Sequence, residues 1–270
     1  MSDIAAESLG LPYPPTYLGR RERGVLTGLN YASGSSGLLE NTGKLFGACL
    51  SLDVQVNLFN KTIEKELKGK FKTKEELSNY LAKSLLVIYT GNNDYFNYLI
   101  ANGVSKDHQQ FSDLLLRRFY NELQKLYRLG ARKMAIFEIG PLGCLPMVIK
   151  MFGTGDGCVE DINQMVTYFN GELKIMLSNL TSTLQGSSFV LNPAYSFTYD
   201  AIKNPTKYGF TDSTKSCCPT VGNIVLCAPF VPPCRDHQKH FFWDSVHPTE
   251  AANFHAGKHF KKSTFSSLHL

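Results

Sequence analysis

The chain has 270 residues, 43% of them hydrophobic, enough to bury one substantial core; no linker interrupts it, so a single domain over 1–270 is expected. Its net charge of +5 forms no block: the densest stretch, Lys61 to Lys74, interleaves Glu64 and Glu66 as a solvated helical face does, which argues against nucleic-acid binding. No apolar run reaches the length of a membrane span, and Met1-Ser2-Asp3-Ile4 has neither the basic start nor the apolar stretch of a signal peptide.

In chain order, Val25 to Tyr31 reads as a strand entering the small-residue turn Ser33-Gly34-Ser35-Ser36-Gly37. That turn can present backbone N–H groups to an anion, or be a plain flexible loop or a phosphate cradle; no lysine follows in P-loop position, so nucleotide binding is not expected. Thr73 with Glu76 forms a capping box, predicting a helix that leads into Leu85-Leu86-Val87-Ile88-Tyr89, a continuous apolar run typical of a strand buried on both faces. Gly91-Asn92-Asn93-Asp94 follows directly. A carboxamide at a strand's carboxyl end can donate to developing negative charge, although an ordinary Asn/Asp turn has the same composition.

A helix is predicted from about Phe111, with Leu115, Phe119, Leu123 and Leu126 on one face and Gly130 closing it. Met134 to Phe137 is the next buried strand, stopped by Gly140-Pro141. After Cys158 a long helix carries Ile162, Met165, Val166, Phe169, Leu173, Met176, Leu177 and Leu180 on one side, and Ser188 to Leu191 makes a further strand. A last helix is expected from Pro248, a residue suited to the first helical position. Strands alternating with helices give an α/β fold with a parallel sheet covered on both sides. Ligands then bind at the carboxyl ends of the strands, after Tyr31, Tyr89 and Phe137.

Seven cysteines are many for this length, and six follow Gly143. Cys144 and Cys158 bracket the loop Gly153-Thr154-Gly155-Asp156-Gly157, while Cys217, Cys218, Cys227 and Cys234 cluster in an aperiodic, Pro-containing segment. Such loops gain most from covalent closure, whereas no spacing completes a tetrahedral zinc set, so disulfides and an oxidising compartment are expected. Cys49 is the expected odd thiol. Asn60-Lys61-Thr62 and Asn179-Leu180-Thr181 are glycosylation sequons.

In Trp243-Asp244-Ser245-Val246-His247-Pro248-Thr249-Glu250, one turn of chain separates the acid from the imidazole. The carboxylate can accept from one ring nitrogen while the other faces a nucleophile, or the two can simply be surface neighbours.

Taken together these segments resemble the plant GDSL esterase/lipase family of the SGNH hydrolase superfamily, over almost the whole chain. The resemblance is carried by Leu9-Gly10-Leu11-Pro12 through Pro15, Thr27-Gly28-Leu29-Asn30-Tyr31-Ala32-Ser33-Gly34 and Tyr89-Thr90-Gly91-Asn92-Asn93-Asp94-Tyr95. It continues through Leu129-Gly130-Ala131-Arg132-Lys133, Gly140-Pro141-Leu142-Gly143-Cys144, Asn204 to Phe210, the Cys217-Cys218 pair, Phe242-Trp243-Asp244 and His247-Pro248-Thr249-Glu250. It implies a three-layer, flavodoxin-like fold and a carboxylic-ester hydrolase with no metal or organic cofactor. His247 would be the general base, Asp244 its orienting acid, and Asn93 with a backbone N–H of the Gly34 turn the oxyanion donors. The substrate would be an ester, an acyl lipid or an acylated glycan among the possibilities, and the intact protein would be secreted.

One departure dominates. The sequence holds neither the family's Gly-Asp-Ser nor a Gly-x-Ser-x-Gly elbow. Ser245 lies between the acid and the base without a strained turn to activate it, and Cys144 is expected to pair with Cys158. The nucleophilic serine is therefore unassigned. The resemblance implies an N-terminally truncated chain whose missing first central strand lies between those near Val25 and Leu85. Such a chain is expected to be an inactive fragment; the rival reading is a non-catalytic ester- or glycan-binding homologue.

Overall fold

The computed structural model describes residues 2–19, 25–104, 108–155, 157–220 and 227–268, so Met1 and Asp156 of the readings above lie outside the described residues. Helix α1 (Ser2–Ser8) opens the chain, and α2 (Leu52–Thr62) and α3 (Lys74–Lys83) precede strand β1 (Leu85–Ile88). Then come α4 (Asn92–Asn102), α5 (His108–Arg128), β2 (Lys133–Phe137), α6 (Pro146–Phe152), α7 (Glu160–Thr183), β3 (Ser188–Asn192) and α8 (Ala194–Lys203). Strands β4 (Asp212–Ser216) and β5 (His240–Phe242) lead to α9 (Glu250–Thr264).

The order β1-β2-β3, parallel throughout, forms the main sheet. Because strand side chains alternate between faces, each strand sorts its residues into two clusters. Met134, Ile136 and Phe189 point toward α5 and α7, where Leu115, Phe119, Leu123, Ile162, Phe169 and Leu173 are buried. Ala135 and Phe137 point the other way, against Phe260 of α9, Phe265 and Ala5 of α1. The sheet is thus a middle layer between α5/α7 and α1/α9. This is the arrangement that the apolar run of β2 predicts; β1 departs from it, with Leu85 and Leu86 half-buried, Val87 exposed and Tyr89 exposed beyond the strand's end.

The capping box forms: Thr73 Oγ1 accepts from the Glu76 N–H at 3.1 Å, while the Glu76 carboxylate reaches back to the Lys72 N–H at 2.8 Å. Two predicted boundaries are corrected. The last helix starts at Glu250, not Pro248, because the Thr249 side chain caps it by accepting from the Ala252 N–H. Val25 to Tyr31 is not a strand. It turns at 25–27 and makes one isolated parallel bridge, Thr16 to Asn30. An apolar alternation becomes a strand only with a neighbour to pair with, and Gly28 at φ 118° breaks the extension. Between this segment and β1 lies a cavity of about 390 Å³, walled by Leu29, Leu52, Val56 and Phe59 on one side and Leu85 to Ile88 on the other. Among the described residues β1 pairs with β2 alone, and Val87 is 36% exposed.

Candidate active site

The site is built at the carboxyl ends of β1 and β2. After β1 the chain turns through Gly91 at φ 104°, where an added Cβ would come within 2.8 Å of the Ile139 side chain beyond β2. Only glycine lets α4 start this close to the sheet. The next residues each face a different partner. Asn92 accepts from the Gly140 N–H at 3.3 Å, and the Asn93 amide donates to the Ser36 carbonyl at 2.9 Å. Asp94, 1% exposed, accepts from the Leu38 and Leu39 N–H groups at 2.9 Å each and from the Thr42 hydroxyl at 2.6 Å.

Asp94 therefore binds the turn that precedes it by more than fifty residues in sequence. Burial pushes its carboxyl pKa up, opposed by the hydrogen bonds from Thr42, Leu39 and Leu38. The fit against the turn is close: a Cβ on Gly37 would lie 2.2 Å from an Asp94 carboxylate oxygen, and one on Gly43 2.1 Å from the Ser35 carbonyl. Ser33 holds the other end by accepting from the Leu50 N–H. Within the turn Ser35 sits at φ 60°, unusual for a residue with a side chain, and borders the main cleft; Gly34 lies one residue before it. Sequence reasoning quoted Asp94 without giving it a task. An acid in the first turn of a helix just after a buried strand was the available signal.

The acid–base pair stands on the loop after β5. Asp244, 3% exposed, has both oxygens engaged: Oδ1 accepts from the Val246 and His247 backbone N–H groups at 2.9 and 2.7 Å, and Oδ2 meets His247 Nδ1 at 2.8 Å. This fixes the ring and leaves Nε2 outward on a side chain that is 62% exposed. Burial alone would raise the Asp244 pKa, but the hydrogen bonds from the His247 ring and the two backbone N–H groups hold it below the ordinary carboxylate value. The His247 pKa is raised, chiefly by its hydrogen bond to Asp244, against partial desolvation.

The loop is clamped on two sides. The Trp243 N–H donates to the His247 carbonyl at 2.8 Å, and Cys217 and Cys218 donate backbone N–H bonds to Phe242 and Trp243. Cys144 is bonded to Cys158 and Cys49 is the free thiol, as expected; among the other four, whose pairing the sequence left open, Cys217 is bonded to Cys234 and Cys218 to Cys227. Neither alternative nucleophile is poised. Cys144 is wholly buried in its disulfide, and the Ser245 hydroxyl, on a residue 7% exposed, lies 3.5 Å from Thr220 Oγ1. Among the described residues no group of three or more His, Cys, Asp or Glu side chains is placed to hold a metal ion.

Asn93, Ser35 and His247 border one cleft of about 970 Å³, and Asn93 and Tyr89 also border the cavity beside β1. The structure thus brings Asp244 and His247 into direct contact and sets Asn93 on the same cleft. An acid-oriented imidazole and a carboxamide donor facing one apolar cleft form an arrangement suited to acyl chemistry.

Known proteins share much of this sequence. GDSL esterase/lipase 7 of Arabidopsis thaliana is 40% identical over 263 residues, covering 93% of this chain and 72% of that protein. Two further Arabidopsis thaliana GDSL esterase/lipases are 36% and 38% identical, covering 94% and 93% of this chain and 67% and 68% of their own lengths. The family described as GDSL-like Lipase/Acylhydrolase matches residues 2–260, and on that extent the chain belongs to this family of ester hydrolases.

Proposed function

We propose that the chain, read as one domain over 1–270, provides the acid, base and oxyanion donors of a Ser-His-Asp ester hydrolase acting by acyl transfer. His247 takes the proton of the attacking serine, Asp244 orients the imidazole and stabilises its charged form, and Asn93 with a backbone N–H at Gly34–Ser35 receives the oxyanion. The observation that carries this is Asp244 bonded through both oxygens to the His247 residue, on a cleft that Asn93 borders. No metal or organic cofactor enters the scheme. The three disulfides and the exposed sequon residue Asn179 support an oxidising, secreted setting.

The serine is not among these 270 residues, since no Gly-Asp-Ser occurs. The cavity between residues 25–33 and β1 suits an extended strand pairing with the free edge of β1 and ending beside Asn93, so a segment outside the chain is the proposed source of the nucleophile. The chain alone is accordingly inactive. A protein that holds an ester or glycan without turnover is the second reading, favoured by that same missing serine. The test expresses 1–270 beside a form extended upstream with an apolar strand ending in Gly-Asp-Ser, both assayed on a short-chain nitrophenyl ester. Turnover by the extended form alone, abolished by His247→Ala, supports the hydrolase. Turnover by the 270-residue chain that His247→Ala abolishes refutes the assignment of the nucleophile to another segment, and an inert extended form favours the binding protein.

A further inference from the structure

Helix α4 buries one apolar side and turns a mixed side, two carboxamides and two apolar residues, to the cleft. Tyr95 and Leu99, at 0% and 1% exposure, anchor it in the core, where Tyr95 packs edge-on against Phe111 and Phe169. Asn93, Phe96, Asn97 and Ile100 share the opposite face, at the spacing of three and four that stacks side chains on a helix, and all four border the cleft. That stripe begins at the proposed oxyanion donor and ends at Ile100, which is 43% exposed. Across the cleft stands Phe197, stacked on His259 with ring centroids 4.6 Å apart.

The cleft's described wall contains no Asp, Glu, Lys or Arg; its ionisable side chains are His247, His259 and Tyr89. Its carboxamides are mostly committed to the protein itself. Asn92 bonds Gly140, Asn93 bonds Ser36, Asn192 bonds Ser263 and Thr264, and Asn253 bonds the carbonyls of Pro248 and Thr249. A sugar ring brings a hydroxyl on nearly every carbon and needs free polar partners for each one it buries. An acyl chain needs none.

We infer that the cleft selects a neutral, medium-length acyl chain, laid along α4 from Asn93 to Ile100, rather than an acylated glycan. The inference rests on the reading of Asn93 as the end where the ester carbonyl sits. Seven residues of helix span about 10 Å at 1.5 Å each. An extended chain advances about 1.2 Å per bond, a third of the reach of an extended residue, so the stripe accommodates roughly eight to ten carbons.

The experiment is a calorimetric titration of the 270-residue chain with 2-alkanones from six to fourteen carbons, neutral ester mimics that cannot be hydrolysed. Affinity is expected to rise roughly fourfold per added methylene up to about ten carbons, then level off. Ile100→Trp should bring the plateau several carbons earlier. Ile100→Asp should weaken only the longer ketones, so unchanged 2-hexanone binding confirms its fold. Acetylated xylo-oligosaccharides should give no binding heat. A series flat in chain length, a plateau unmoved by Ile100→Trp, or binding of the oligosaccharides in competition with the ketones would overturn the inference. Since no bond is cleaved, failure here leaves the hydrolytic reading standing, and an inert extended enzyme leaves the chain-length series standing.

Discussion

Replacing Asp94 with alanine should destabilise the protein by about 2–4 kcal/mol although no residue of the acid–base pair is touched. Asp94 accepts three hydrogen bonds, from Leu38 N–H, Leu39 N–H and the Thr42 hydroxyl, in a site with 1% exposure. A buried donor left without its acceptor costs about 1–3 kcal/mol, and three such donors would exceed the range given. Two considerations bring it down. The Leu39 and Leu38 N–H groups lie near one another, so one water filling the space left by the carboxylate can satisfy part of the loss. The wild-type carboxylate also carries a burial penalty, visible in its raised pKa. For a domain of this size each kcal/mol moves the melting temperature by roughly 2–4 °C, so scanning calorimetry should show a fall on the order of 10 °C. Thr42→Val removes a single donor and should cost about 1 kcal/mol in the wild type. In the Asp94→Ala background it should cost less, because the unpaired hydroxyl is gone. If Asp94→Ala melts within 2 °C of wild type, or the two substitutions add without coupling, the carboxylate does not hold the turn and the reasoning fails.

The Asp244–His247 pair makes stability depend on pH in a defined window. His247 is raised above 6.5, so its contribution is complete below that value and fades as pH rises through the folded pKa. Asp244 is lowered below 3.8, so its contribution is present above that value and lost as pH falls through the folded pKa. The melting difference between wild type and Asp244→Ala should therefore be widest between about pH 4 and 6.5, and a difference that grows above pH 8 would contradict the pairing. In the extended form, hydrolysis should rise with pH through a midpoint above 6.5, as neutral imidazole accumulates. Gly43→Ala should cost at least about 1–2 kcal/mol, since φ is 81° and the new Cβ meets the Ser35 carbonyl; urea titration measures it. Cys217→Ser with Cys234→Ser opens a closure spanning 17 residues and should cost about 3 kcal/mol by the same titration.

The layered α/β fold was legible because its signals are local. Strand β2 carries Met134 and Ile136 to one cluster and Ala135 and Phe137 to another, and only a strand covered on both faces needs apolar residues at every position. The cysteine loops and the Asp244–His247 spacing were equally plain. What escaped was information held by partners distant in sequence. Val25 to Tyr31 has a strand's alternation, but whether a segment becomes a strand depends on the neighbour offered to it, and the local pattern does not contain that. Asp94 reads as a helix's first-turn acid, whereas its partners lie at Leu38, Leu39 and Thr42. Pro248 can open a helix, yet Thr249 bonds both the His240 carbonyl and the Ala252 N–H, and the cap wins.

The loop that carries the acid and the base also contains the chain's single tryptophan. Trp243, 36% exposed, is held through its N–H to His247 and its carbonyl to Cys218, so the indole is fastened to the disulfide-braced edge and not to the sheet core. Its emission therefore reports a different part of the molecule from the helical circular dichroism supplied by α5 and α7. Where the two optical signals melt apart, the loop opens as a cooperative unit of its own, and the gap between the curves measures how far the site can loosen while the core remains folded.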